Sequence, residues 1–156
     1  MKILVCGSKS ITKKEIVFDI LNKEIEDKNG VTIIQGGESK GVEVLTKLWA
    51  IAHMIPSYSY PVQYNKFGKS ASFVRTKEMI YECDRTIVIW NGKSNGARAD
   101  IELLKASGKP FKVYMPENAV KQKEKEKSIM KILVKDFLMQ QIQTYGNKLK
   151  RGKLNG

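Results

Sequence analysis

The sequence predicts an α/β domain: a mainly parallel five-stranded sheet between two layers of helices, with one further helix after it. Three observations carry this. Short apolar runs end on glycine-bearing loops, stretches of helical periodicity fill the intervals, and each connection is short. Ile3 to Val5 is the first such run and stops at Cys6-Gly7-Ser8. Ile16, Ile20, Leu21 and Ile25 then recur at helical spacing, with Thr12 and Glu15 forming a capping box and Asn29-Gly30 the exit turn. Val31 to Ile34 is the second strand, running into Gln35-Gly36-Gly37.

A second helix is expected from about Gly41 to His53, with Val42, Leu45, Leu48, Trp49 and Ala52 on its apolar face and Pro56 beyond it. Tyr58 to Val62 is a shorter, more polar strand, and Pro61 suits a sheet edge. After a loop holding Tyr64, Phe67 and Gly68, a third helix runs from about Ser70 to Cys83. Arg85 to Trp90 is the clearest strand. The loop Asn91 to Gly96, a helix from about Ala97 to Ala106 and a last strand Phe111 to Met115 follow. Right-handed crossovers place helices on both faces, which gives a Rossmann-like three-layer αβα sandwich over residues 1–116.

Residues 117–147 read as a charged linker, Lys121 to Lys127, leading into an amphipathic helix with Ile129, Ile132, Leu133, Phe137 and Ile142 on its stripe. That stripe packs either on its own domain or on a second subunit. Residues 148–156 read as a basic, flexible tail.

Composition narrows the function classes. The chain has 156 residues, 42% hydrophobic and 28% charged, which suits one globular domain and argues against disorder. No apolar run approaches the roughly 20 residues that span a bilayer, and the first residues lack a signal-peptide pattern, so no membrane association and a cytoplasmic address are expected. The formal net charge of +12 favours a phosphate-bearing partner. Half of it lies beyond Pro116, where ten Lys and Arg stand against four Asp and Glu. Cys6 and Cys83 read as buried, reduced thiols, and with His53 alone no metal site or cofactor is expected.

In an open parallel sheet, ligands bind beyond the carboxyl ends of the strands. Three glycine-bearing loops fall there: Gly7-Ser8-Lys9, Gly36 to Gly41, and Asn91-Gly92-Lys93-Ser94-Asn95-Gly96. Glycine lets backbone N–H groups approach a ligand, and each loop feeds a helix N-terminus that favours anions. Lys9, Lys40 and Lys93 add positive charge. None of the loops is a Walker or dinucleotide fingerprint, which weighs against a P-loop NTPase or an ordinary dehydrogenase.

Taken in order, Gly7-Ser8-Lys9, Gly36-Gly37-x-x-x-Gly41-x-Glu43, Gly68-Lys69-Ser70-Ala71 with Arg75, and Trp90-Asn91-Gly92-Lys93-Ser94-x-Gly96 resemble the YspA-like branch of the SLOG superfamily. Its relatives include the LOG phosphoribohydrolases and the Rossmann domain of DprA. The resemblance covers about Ile3 to Tyr114 and is most specific between Trp90 and Gly96. It implies a nucleotide or nucleotide-derived ligand, such as a nucleoside monophosphate or an ADP-ribose derivative. It also implies oligomers. The implied ligand set is Gly7, Ser8, Lys9, Gly36, Gly37, Gly41, Glu43, Lys69, Arg75, Asn91 through Gly96, and Ala97.

In the LOG pattern P-G-G-x-G-T-x-x-E, Gly96 matches the glycine of the G-T pair, and Asp100 takes the place of the catalytic glutamate. Arg75 matches the arginine of the preceding helix, which makes Arg75 and Asp100 the implied catalytic pair. Ala97 stands where the threonine belongs, Glu43 where aspartate is usual, and Thr76 where asparagine is usual. These departures favour a sensor or sequestering protein over the alternative, a nucleotide N-glycosidase. DprA-like nucleic-acid binding is a third reading. It is disfavoured because the basic tail lacks interleaved aromatics for base stacking.

Overall fold

The computed structural model describes the backbone of residues 1–154 and the side chains of residues 1–116 and 125–152. The chain divides into two compact units, Met1–Pro116 and Glu117–Gly156.

The first unit is the expected three-layer α/β sandwich. Its strands are β1 (Lys2–Gly7), β2 (Thr32–Gln35), β3 (Ser57–Ser59), β4 (Arg85–Ile89) and β5 (Phe111–Tyr114). Its helices are α1 (Lys14–Glu24), α2 (Val42–Ala52), the single turn α3 (Tyr64–Phe67), α4 (Ala71–Glu82) and α5 (Asn95–Ser107). All five strands are parallel, in the order β3-β2-β1-β4-β5. The order reverses at β1, so the switch point opens between β1 and β4, where Gly7 pairs with Ile89.

The period of two along each strand builds both cores. Ile3 and Val5 of β1, Ile33 of β2, and Ile87 and Ile89 of β4 face one layer. There they meet Val17 and Leu21 of α1 and Leu45 and Trp49 of α2. Leu4, Cys6, Ile34 and Val88 face the other way, onto Met79 and Ile80 of α4 and Ile101 and Leu104 of α5. Strands buried on both faces are why the β1 and β4 segments read as continuous apolar runs. Trp49 is fully buried and its Nε1 donates to Asn22 Oδ1 at 2.9 Å. His53 closes the end of α2, its Nδ1 2.8 Å from the Trp49 carbonyl. Both cysteines are buried and free.

Local details depart from the sequence reading. Thr12 does not cap α1. The helix starts at Lys14, its N-cap is Lys13, and no side chain caps it. The last turn of α1 instead ends at Ile25, which is pulled into the core. Residues 64–67, expected as loop, form α3, and a 3-10 turn at Gly68–Ser70 leads into α4. The helix after the β4 loop begins at Asn95, two residues early, because the Ser94 hydroxyl caps it by accepting from Ala97 N–H at 3.4 Å.

The second unit corrects the linker and the tail. One helix, α6 (Pro116–Leu154), runs for 39 residues through the charged run 121–127 and through residues 148–154. Residues 155–156 of the expected tail lie outside the described residues. Lysine, glutamate and glutamine are good helix formers, so a run without apolar residues still continues a helix, and Gly146 and Gly152 each cost only about 1 kcal/mol. No helix among the described residues is long and apolar enough to cross a membrane.

The switch point makes one position intolerant of any side chain. A Cβ on Gly7 would stand 2.0 Å from the Ile89 carbonyl oxygen and 2.9 Å from Val42 Cγ2. Gly7→Ala is expected to destabilise the domain by about 3 kcal/mol or more, since backbone atoms must shift. Equilibrium urea unfolding checks this, and an unchanged midpoint would refute the close approach.

Candidate ligand cleft at the carboxyl edge of the sheet

Three backbone approaches bring the loops to one rim. Ser8 N–H donates to the Ile89 carbonyl at 3.0 Å, continuing the β1–β4 ladder one residue past Gly7. The Ser8 carbonyl accepts from Val42 N–H at 3.3 Å and so ties the first loop to the start of α2. Gly41, at φ +82°, lies so close that a Cβ there would meet Lys9 Cα at 2.4 Å. The third loop is stitched to the first through Asn91. Its N–H donates to Ser8 Oγ at 3.0 Å and its Nδ2 to Ser10 Oγ at 2.7 Å. Its Oδ1 accepts from the N–H groups of Lys93 and Ser94 at 2.9 and 2.8 Å. Trp90 braces the same loop by donating Nε1–H to the Ser94 carbonyl at 3.1 Å.

A cleft of about 690 Å³ opens on this rim. Of the residues singled out from sequence, Gly7, Lys9, Glu43, Lys69, Arg75, Asn91, Ser94, Gly96, Ala97 and Asp100 line it. Ser8, Gly36, Gly37, Gly41, Gly92, Lys93 and Asn95 do not. Ser8 is fully buried and holds the loops together. Gly36 serves by its small size, since a Cβ there would meet Glu43 Oε2 at 2.8 Å and Arg75 Cζ at 3.0 Å. Tyr64 and Phe67, which precede α4, are absent from its lining, whereas Phe73 is present and about half exposed.

Sequence reasoning missed Ser10, Glu38, Ser72, Phe73, Ala99 and Leu103 as lining residues. Helical spacing could have found Ser72 and Leu103. Ser72 and Thr76 flank Arg75 on one face of α4, and Leu103 follows Asp100 and Gly96 on one face of α5.

The electrostatics are mixed rather than simply positive. Arg75 is almost buried, and its Nη1 donates to the Gly36 carbonyl at 3.1 Å and to Glu38 Oε1 at 3.3 Å. Its Nε is buried with no partner. Lys9 Nζ lies 2.9 Å from the other oxygen of Glu38. Partial burial opposes the charge on Glu38, but the hydrogen bonds from Lys9 and Arg75 outweigh it and hold the carboxyl below its ordinary range. Glu43 accepts from Glu38 N–H at 3.0 Å, yet burial pushes its carboxyl up, helped by the charges of Glu38 and Asp100. Asp100 is likewise pushed up by burial, against the opposing pull of the Thr76 hydroxyl, which donates to it at 3.0 Å, and of Arg75. Among the described residues, no three His, Cys, Asp or Glu side chains group as a metal site would require.

Residues 1–67 match the model of the YspA, cpYpsA-related SLOG family (YAcAr), in agreement with the resemblance read from the loops. The match spans the first two glycine loops and Glu43 and ends before Lys69, Arg75, Asp100 and the third loop. No curated protein and no solved structure matches the chain significantly.

The raised carboxyl of Asp100 sets a pH dependence. A carboxyl with a folded-state pKa above its unfolded value favours folding below that unfolded value. The contribution is lost as pH rises through the folded value. Asp100→Asn keeps an acceptor for Thr76 and removes the buried charge. It is therefore expected to melt higher than the parent protein at pH 7 to 8, with the gap closing toward about pH 4. Thermal melts across that range check this; a gap that widens in acid would contradict the burial argument.

Proposed function

We propose, for a chain whose residues 1–67 are of YspA-like SLOG type, that the cleft binds a nucleotide or nucleotide-derived phosphorylated ligand as a sensor or sequestering protein. The observation that carries this reading is Arg75. Arg75 lines the cleft as a nearly buried guanidinium whose Nε–H has no partner, and an unsatisfied buried donor costs about 1–3 kcal/mol. A phosphate oxygen would satisfy it. Lys9 and Lys69 line the same cleft and supply further positive charge, and the first turn of α5 adds the N–H group of Gly96. Phe73 offers the half-exposed aromatic surface on which a base would stack, with Lys77 Nζ 5.4 Å from its ring centroid.

Glu38 would act as the ligand's competitor. Its carboxylate occupies Lys9 and Arg75, the two cations that an incoming phosphate would use, and it rides on a loop whose glycines at 37 and 41 have positive φ. Titration calorimetry with nucleoside 5′-monophosphates tests both residues. Arg75→Ala is expected to weaken binding by about 1–3 kcal/mol, roughly tenfold to a hundredfold. Glu38→Gln is expected to tighten it. Equal affinity for Arg75→Ala and the parent, with the fold intact by melting, would remove the phosphate from this cleft. Mass spectrometry of small molecules released on denaturation would identify a retained ligand.

A second reading rests on the two carboxyls. Glu43 and Asp100 line one cleft, and burial pushes both carboxyls up, the direction a general acid requires. In N-glycoside hydrolysis one carboxyl would protonate the departing base, and the other, ionised, would stabilise the oxocarbenium-like centre that water attacks. Release of free base from nucleoside monophosphates, lost in Asp100→Asn, is the expected result of this reading. Binding without base release leaves the sensor.

A further inference from the structure

A second groove, of about 410 Å³, runs between α4 and α5 as far as Lys109. It meets the cleft at Leu103, which lines both, and at Lys77, whose Nζ stands 5.4 Å from the ring centroid of Phe73 in the cleft. Every residue of the two hollows lies within the first unit. The α4 wall is built at four-residue spacing, which puts side chains on one face. Lys69 stands in the 3-10 turn that leads in, and Phe73, Lys77 and Tyr81 follow. Cations and aromatic rings therefore alternate along it. Phe73 is 52% exposed and Tyr81 80%. Lys109 ends the row, with its Nζ 5.8 Å from the Tyr81 ring centroid. It is fixed there by donating to the carbonyls of Tyr81 and Cys83 at 2.5 and 2.7 Å.

The opposite wall carries no charge. It is made by Ala99, Leu103, Ala106 and Ser107 of α5. Among the described residues, none that lines the groove is acidic. Glu82 of α4 pairs instead with Lys2 at 3.0 Å, and Glu102 of α5 with Lys105 at 2.9 Å. Repeated cations with open rings between them suit a polyanion that carries a flat group at each step. A phospholipid headgroup or an acidic peptide brings the charge without that repeat. The interleaving of aromatic and basic side chains that residues 148–156 lack is present on α4.

We propose that the α4–α5 groove binds single-stranded nucleic acid, with bases stacked on Phe73 and Tyr81 and phosphates on Lys69, Lys77 and Lys109. The two rings are eight residues apart, about 12 Å along the helix axis. A stacked strand advances about 3.4 Å per nucleotide, so no single nucleotide reaches both rings. The cleft reading places only the 5′-phosphate of the strand, beside Arg75; the groove stands on its own side chains.

Titration calorimetry of the full chain tests this with thymidine 5′-monophosphate, 5′-phosphorylated pentathymidylate and inorganic tripolyphosphate. Pentathymidylate is expected to bind tightest. Tyr81→Ala is expected to weaken it roughly tenfold, the loss of one stacked base, and to leave the monophosphate unchanged. That substitution keeps every charge of the chain, those of α6 included, so its effect reads stacking alone. Lys77→Gln is expected to lower the slope of log affinity against log salt by about 0.7, one phosphate contact on a single strand. Melting confirms that each variant is folded. The proposal is overturned if pentathymidylate binds no tighter than tripolyphosphate, if Tyr81→Ala binds it as well as the parent does, or if Lys77→Gln keeps the parent's salt slope. The cleft reading survives any of these when the monophosphate still binds. A Tyr81-dependent pentathymidylate complex in a chain that ignores the monophosphate upholds the groove and overturns the cleft.

Discussion

The close crossing of backbone at the end of β1 is the constraint from which the site follows. Gly7 lets the Ile89 carbonyl come within the space a Cβ would occupy, and Gly41 does the same against Ser8 and Lys9. Without those approaches the turn after β1 could not sit beneath the start of α2 and beside the turn after β4. Ser8 then joins all three segments: its N–H and hydroxyl are taken by Ile89 and Asn91 at the end of β4, and its carbonyl by Val42 at the start of α2. The cleft is the space left above that junction, and its walls are the first turns of α4 and α5.

Charge is distributed on this scaffold as a balance. Arg75 is anchored through one nitrogen to the Gly36 carbonyl, and this fixes where its remaining edge points. Glu38 neutralises part of it together with Lys9, while Glu43 and Asp100 are held in surroundings that disfavour their charge. A cradle made of lysines alone would attract any anion. One in which a carboxylate must be displaced favours an anion that brings further contacts, such as a base and sugar.

The fold was legible in the sequence because β1, β2 and β4 are buried on both faces and bounded by glycine, a pattern with few alternatives. The rim was legible for the same reason, since each glycine loop ends such a strand. What resisted reading depends on side-chain geometry. Thr12 and Glu15 have capping spacing, but the N-cap falls one residue later, at Lys13, and the helix is held by burial of Val17 and Leu21 rather than by a side-chain cap. Glu38 has no motif and enters the cleft only because Lys9 and Arg75 pull it there. Phe73 carries no motif of its own, and only the placement of α4 brings it to the cleft. The run 121–127 read as a linker because it lacks apolar residues, though lysine and glutamate continue a helix well.

The two thiols have a practical consequence. Cys6 sits in the middle of the sheet, Cys83 at the end of α4, and neither reaches solvent. Burial, reinforced by the nearby carboxylates of Asp100 and Glu43, keeps the Cys6 thiol well above its ordinary value and therefore protonated and unreactive. An alkylating reagent can mark β1 only when the sheet itself comes apart. The chain thus carries an internal clock for opening of its centre, readable by labelling kinetics without adding any foreign probe.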